Sequence, residues 1–208
     1  MAAGRSICCD ACLEGLVRGG GLHWTGQESG RLPVLSLLPY RGPGRRLVTA
    51  VKYGGAHGLS RRMACLLARQ ARRLAPEADF RLLCPVPSRP ARQRELDGNP
   101  AARLALDLAR ALDARYGELL VRHGQGGQQK NLNRTGRLGN RSGGFALHRR
   151  AGILAGQAVW LVDDVVTTGA TLARCARELR QGGLTVAGAF VLARTPTADE
   201  SGGLADAP

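Results

Sequence analysis

At 208 residues and 22.0 kDa, with 44% of residues hydrophobic, the chain can bury a core of its own, and one domain with modest extensions is expected. Aromatic residues make up only 4% of it, so the core must rest on Leu, Val and Ala, which argues against an aromatic-rich β-sandwich and for helices packed on a parallel sheet. Thirty basic against sixteen acidic residues give a net charge of +14, a field that attracts polyanions such as phosphorylated metabolites or nucleic acid; such a bias also follows from codon composition, and charge alone does not choose.

Along the chain, the opening MAAGRSICCDACLEGL lacks an apolar core long enough for a signal peptide, and nowhere do 18 apolar residues run together, so a cytoplasmic chain without membrane insertion is expected. Residues 1–34 are Gly-rich and weakly patterned and read as an irregular extension. Residues 44–53 and 59–75 carry apolar residues at helical spacing, with arginines on the other face. FRLLCPVP (80–87) predicts a strand entering a loop, and residues 101–117 an amphipathic helix stopped by Gly117, with Pro100 suited to its first turn. A short strand is expected at 118–123, followed by a long polar loop at 124–144. Strand 158–164, helix 171–183 and strand 185–194 make a βαβ unit with parallel strands, and the tail from 195 to 208 reads as disordered. Cys65, Cys84 and Cys175 lie in apolar periodic segments and read as small core residues.

The chemistry concentrates in WLVDDVVTTGATL (160–172). In open α/β sheets ligands bind outside the carboxyl ends of the strands, where the next helix presents unpaired N–H groups. Asp163 and Asp164 fall at such an end, and the turn Thr167, Thr168, Gly169, Ala170 and Thr171 opens the helix with hydroxyl and backbone donors. Such a turn suits a phosphate monoester. Two carboxylates upstream would repel that phosphate, yet they accept hydrogen bonds from vicinal hydroxyls, so together the groups describe a ribose 5-phosphate site. The bland alternative is an acid pair beside a helix capped by Thr167 or Thr168.

VWLVDDVVTTGAT resembles the signature of type I phosphoribosyltransferases. YRGPGRRLVTAVKYGG (40–55), PVPSRPARQRE with Asn99 (85–99) and QKNLNRTGRLGNRSGGF (129–145) are similar in order and spacing to the ComF family of competence proteins (ComF/GntX group), over about residues 38–194. The resemblance implies a Rossmann-like parallel sheet flanked by helices over residues 35–194, with a mobile hood loop and a degenerate Cys-containing extension at 1–34. It implies that Asp163 and Asp164 hold the ribose hydroxyls of phosphoribosyl pyrophosphate and that Thr167 to Thr171 bind its 5-phosphate. Lys52, Ser88 and Arg89 would meet the pyrophosphate, and Gln129, Lys130 and Asn140 lie in the hood. Magnesium is implied by the substrate, whose pyrophosphate leaving group needs its charge neutralised.

The chain departs from that pattern in three places. Where the family often has Arg-Gly-Phe-Asn-Gln, this chain reads Leu96-Asp97-Gly98-Asn99-Pro100, which weakens the electropositive lining. Purine-salvage relatives place an acid where this chain has Thr167, so ordinary purine salvage is not expected. Family members commonly open with two Cys-x-x-Cys knuckles; only Cys9 and Cys12 form one here, half a structural zinc site, so zinc is not expected. Three functional classes stay open: a phosphoribosyltransferase serving DNA uptake in transformation, a non-catalytic accessory binding single-stranded DNA and competence proteins, and a regulator responsive to phosphoribosyl pyrophosphate.

Overall fold

The computed structural model describes residues 10–17, 20–25, 31–53, 57–96, 98–122, 144–149 and 151–196. After α1 (Asp10–Val17) and β1 (Gly21–Thr25) comes β2 (Leu32–Pro39), then α2 (Gly42–Tyr53), α3 (His57–Leu74) and β3 (Leu82–Pro85). The short α4 (Pro90–Glu95) and α5 (Pro100–Leu112) precede β4 (Arg115–Tyr116), β5 (Leu120–Arg122) and β6 (Phe145–Leu147). A 3₁₀ turn, Ala151–Leu154, leads to β7 (Ala158–Val166), α6 (Ala170–Gln181) and β8 (Thr185–Arg194). The six-stranded sheet has the order β1-β2-β8-β7-β3-β4; every neighbouring pair is parallel except β1 with β2, and β5 and β6 form a separate antiparallel pair. This is an α/β fold with a mostly parallel sheet flanked by helices.

The apolar runs explain the layering. β7 and β8 are buried on both faces, as parallel strands between helical layers must be. On one face Leu47, Met63, Leu67 and Leu104 from α2, α3 and α5 pack on Leu83, Trp160 and Phe190. On the other, Leu172, Cys175 and Leu179 of α6 pack on Val159 and Leu161, with Leu120 and Phe145 of the β5–β6 pair closing the layer. Three of the chain's few aromatics meet at one point: Phe80, Trp160 and Phe190 lie 4.9 to 5.4 Å apart between ring centroids. The Trp160 indole N–H donates to the Asp79 carbonyl at 2.9 Å. Gly188 faces that indole across the β7–β8 ladder, where a Cβ would collide with the ring.

Several boundaries differ from the sequence reading. Residues 10–17 and 21–25 are not irregular: Leu13, Leu16 and Val17 follow helical spacing and pack on the core, and β1 adds an antiparallel edge to β2. The amphipathic helix stops at Leu112 rather than at Gly117, because Asp113 adopts the left-handed conformation (φ 58°) and donates its N–H to the Ala109 carbonyl. Arg115 and Tyr116 are then taken by pairing with β3. Cys84 and Cys175 are buried as expected, but Cys65 lies on the solvent side of α3. The polar loop, apart from Gly144, and the tail beyond residue 196 lie outside the described residues.

Candidate functional site

From β3 the chain moves outward through α5 to β4, and from β7 it moves the opposite way through α6 to β8, so the strand order reverses between β3 and β7. At such a point the loops leaving the two strands diverge and open a crevice at their carboxyl ends. β3 makes its last ladder pair with β7 at Pro85 and Val162, whereas β7 runs on beside β8 to Val166. Asp163 and Asp164 occupy this continuation, so they lie inside β7 rather than ending it.

Alternation along a strand sends the two acids to opposite faces. Asp164 follows Trp160 and Val162 toward the α2, α3 and α5 layer, where its Oδ2 meets the Lys52 Nζ at 2.8 Å; their side chains are only 13% and 8% exposed. Lys52, expected at the pyrophosphate, is thus bonded to one of the acids expected at the ribose. Asp163 turns to the α6 layer, and its Oδ1 accepts the Asp164 backbone N–H at 2.8 Å. Its charge is felt there by the Cys175 thiol, whose pKa is pushed up first by burial and then by Asp163.

Thr167 and Thr168 in the turn after β7 and Thr171 on the first turn of α6 are exposed. Gly169, with φ 76°, is the N-cap, and no side chain caps the helix; Thr168 Oγ1 accepts from the Ala170 N–H only at 3.4 Å. Capping by Thr167 or Thr168 is therefore not the arrangement found, and the helix presents its N–H groups and dipole end beside exposed hydroxyls.

The loop after β3 forms the other wall. The Val86 N–H still bonds to Val162, and Asn99 ties the loop to α5: its Oδ1 caps Ala101 at 3.1 Å while its Nδ2 donates to the Val86 carbonyl at 3.0 Å. Ser88 Oγ is buried without a hydrogen-bond partner among the described residues, and Arg89 is exposed. Arg122, which sequence reasoning missed, reaches this loop from β5, donating to the Pro87 carbonyl at 3.5 Å with its guanidinium 4.8 Å from the centroid of the Phe145 ring. Burial, and next the like charge of Arg89, hold its pKa below the usual arginine range, with Asp163 acting the other way. Only the resemblance singled out Asn99, and no local pattern marks Arg122. Gln129, Lys130, Asn140 and Cys9 lie outside the described residues, as does the side chain of Cys12.

Residues 100–201 match the family model of the phosphoribosyl transferase domain. The match runs from the first turn of α5 past β8, so it contains both acids and the whole threonine turn, and it leaves out Lys52, Ser88 and Arg89. Among solved structures, the chain is similar to an allosteric regulatory enzyme of purine biosynthesis (17% identity, TM-score 0.48). It is likewise similar to a glutamine phosphoribosylpyrophosphate amidotransferase from B. subtilis complexed with ADP and GMP (16%, TM-score 0.46). In both cases 69% of this chain is covered, and it spans 30% of the length of the other. An adenine phosphoribosyltransferase is matched over 93% of this chain and 95% of its own, at 16% identity and a TM-score of 0.47. No curated protein matches the sequence.

Proposed function

We propose that this chain binds phosphoribosyl pyrophosphate at the carboxyl end of β7 and acts as a phosphoribosyltransferase-type protein of the ComF kind. The observation that carries the reading is the pair Asp163 and Asp164 followed by an uncapped helix N-terminus with exposed Thr167, Thr168 and Thr171, all within the span matched by the phosphoribosyl transferase domain. In this reading the acids accept the ribose hydroxyls, the turn from Thr167 to Thr171 donates to the 5-phosphate, and Ser88 and Arg89 face the pyrophosphate. Two carboxylates are the donor type that Mg²⁺ takes, and the ion usually binds through one or two of them together with substrate phosphates. Asp163 and Asp164 are the residues that would hold it, and when bound it would offset charge on the leaving pyrophosphate. The chain's own residues supply electrostatic positioning of the sugar.

The test is calorimetric titration with phosphoribosyl pyrophosphate and Mg²⁺, then a screen of acceptors for pyrophosphate release. Asp163→Asn with Asp164→Asn is expected to abolish binding in a folded chain, and retained affinity would refute the ribose assignment. A second reading, a DNA-binding role in transformation, is favoured by the exposed Arg61, Arg69, Arg72 and Arg73 on α3. Among the described residues, no helix is long and apolar enough to cross a membrane.

A further inference from the structure

Three consecutive carbonyls after β3 are each engaged by a side chain from a different element. Val86 accepts from Asn99 Nδ2 at 3.0 Å, Pro87 from Arg122 Nη1 at 3.5 Å, and Ser88 from Gln93 Nε2 at 3.3 Å. All peptide bonds here are trans. In a trans peptide the carbonyl of one residue and the N–H of the next point in opposite directions. Fixing the Pro87 carbonyl on Arg122 therefore turns the Ser88 N–H away from Arg122, and fixing the Ser88 carbonyl on Gln93 does the same for the Arg89 N–H. Neither N–H donates to any group among the described residues, and Ser88 Oγ is buried without a partner. Unbonded backbone donors beside a buried hydroxyl are groups that an anion can take up.

We propose that Gln93 and Arg122 are positioning residues which, with Asn99, set the peptide planes of the loop at 86–89 so that Ser88 and Arg89 present their backbone donors to a pyrophosphate-like polyanion. This deepens the function proposed above and rests on it. The arrangement explains why a partly buried arginine is kept near Arg89: over the Phe145 ring it holds a carbonyl, and the crowding of like charges is relieved when an anion arrives.

Gln93→Met separates positioning from charge, because it removes the bond to Ser88 without altering any ionisable group. With inorganic pyrophosphate and Mg²⁺ as the probe, Gln93→Met and Arg122→Met are each expected to weaken binding about tenfold (~1.4 kcal/mol). Ribose 5-phosphate, which carries no pyrophosphate, should bind within about twofold of the parent. Amide proton shifts of Ser88 and Arg89 on addition of pyrophosphate should shrink in both variants. Arg122→Lys keeps the charge but cannot both stack on Phe145 and reach Pro87, so it should behave as Arg122→Met. Parental pyrophosphate affinity in Gln93→Met, or full rescue by Arg122→Lys, overturns the inference and leaves the function standing. A parent chain that binds neither phosphoribosyl pyrophosphate nor ribose 5-phosphate overturns the function itself, and the inference with it.

Discussion

Lys52→Met tests how much the site depends on the ion pair beneath it. The Nζ to Oδ2 distance is 2.8 Å with both side chains largely buried, so at an effective dielectric near 20 the gross attraction is about 6 kcal/mol. Part of this is offset by the desolvation of the lysine, a cost that methionine does not carry, so the net loss should fall near the lower end of the ~3–5 kcal/mol typical for breaking a buried pair. Methionine keeps most of the stem's packing, and α2 retains Leu47, Val48 and Val51 in the core, so the helix should stay docked. For a chain of this size about 3 kcal/mol lowers the melting temperature by roughly 6–12 °C. The assay is thermal and urea unfolding of the parent, Lys52→Met, Asp164→Asn and the double variant at neutral pH. Because the single substitution leaves a carboxylate facing an apolar neighbour, adding Asp164→Asn should restore at least half of the lost stability. A melting temperature for Lys52→Met within about 1 °C of the parent, or a double variant no more stable than Lys52→Met alone, would refute this account of the pair. The same variant bears on the ligand: if Lys52 serves Asp164, the loss of affinity should be as large for ribose 5-phosphate as for phosphoribosyl pyrophosphate.

Other substitutions address the frame around the site. Gly188→Ala places a methyl group into the Trp160 indole and should cost about 1–3 kcal/mol, read by urea unfolding and by a change in tryptophan fluorescence. Asn99→Ala removes both the α5 cap and the bond to the Val86 carbonyl and should cost about 1–2 kcal/mol, whereas Asn99→Asp, which keeps only the cap, should recover part of it in the same unfolding assay. Burial pushes the Cys84 thiol up to about 12 from an ordinary value near 9, and moves Cys175 in the same direction. At pH 8 iodoacetamide should therefore modify exposed Cys65 while sparing both buried thiols until denaturant is added, as checked by peptide mapping. The same shift has a stability consequence: above pH 9 the unfolded chain ionises Cys84 and the native chain does not, so its contribution, full below pH 9, should decline between pH 9 and 12. Replacing Arg69, Arg72 and Arg73 with Gln should lower the salt dependence of single-stranded DNA binding by roughly 0.7 per lost phosphate contact, and an unchanged slope would reject this face as a nucleic-acid surface.

What the sequence made legible was local. The βαβ unit from residue 158 to 194 declared itself through an apolar run, a threonine turn and a periodic helix, and the match over residues 100–201 contains this unit. Pro100 marked a helix start, and the structure begins α5 at that residue with Asn99 as its N-cap. The helix at 10–17 escaped because it is only eight residues long and lies in a Gly-rich stretch, and its stability comes from packing rather than from propensity. The true end of α5 escaped because Asp113 in a left-handed conformation is a choice imposed by the pairing of Arg115 and Tyr116 with β3, which no local pattern reports. Lys52 with Asp164, and Arg122 with Pro87, are contacts between distant parts of the chain, and they exist only once the sheet order is known.

That sheet order also answers why β7 carries two acids in succession. Side chains on neighbouring strand positions point to opposite layers, so adjacency in sequence gives Asp163 and Asp164 separate surroundings rather than a shared one. Asp164 is held by a lysine on the α2 side, which keeps a carboxylate ionised and oriented at small exposure. Asp163 lies on the α6 side, where its field meets Arg122 and where its own Oδ1 already braces the Asp164 peptide. A single acid could be stabilised on one layer only, and an acid pair two residues apart would stack both charges on the same face. The consecutive pair instead places one carboxylate in each layer. The two single variants should therefore differ: Asp164→Asn should chiefly lower stability by stranding Lys52, while Asp163→Asn should chiefly lower affinity for phosphoribosyl pyrophosphate with a smaller change in melting temperature. Equal effects of the two on both measurements would mean that the acids act as one charge and that their division between layers has no functional meaning.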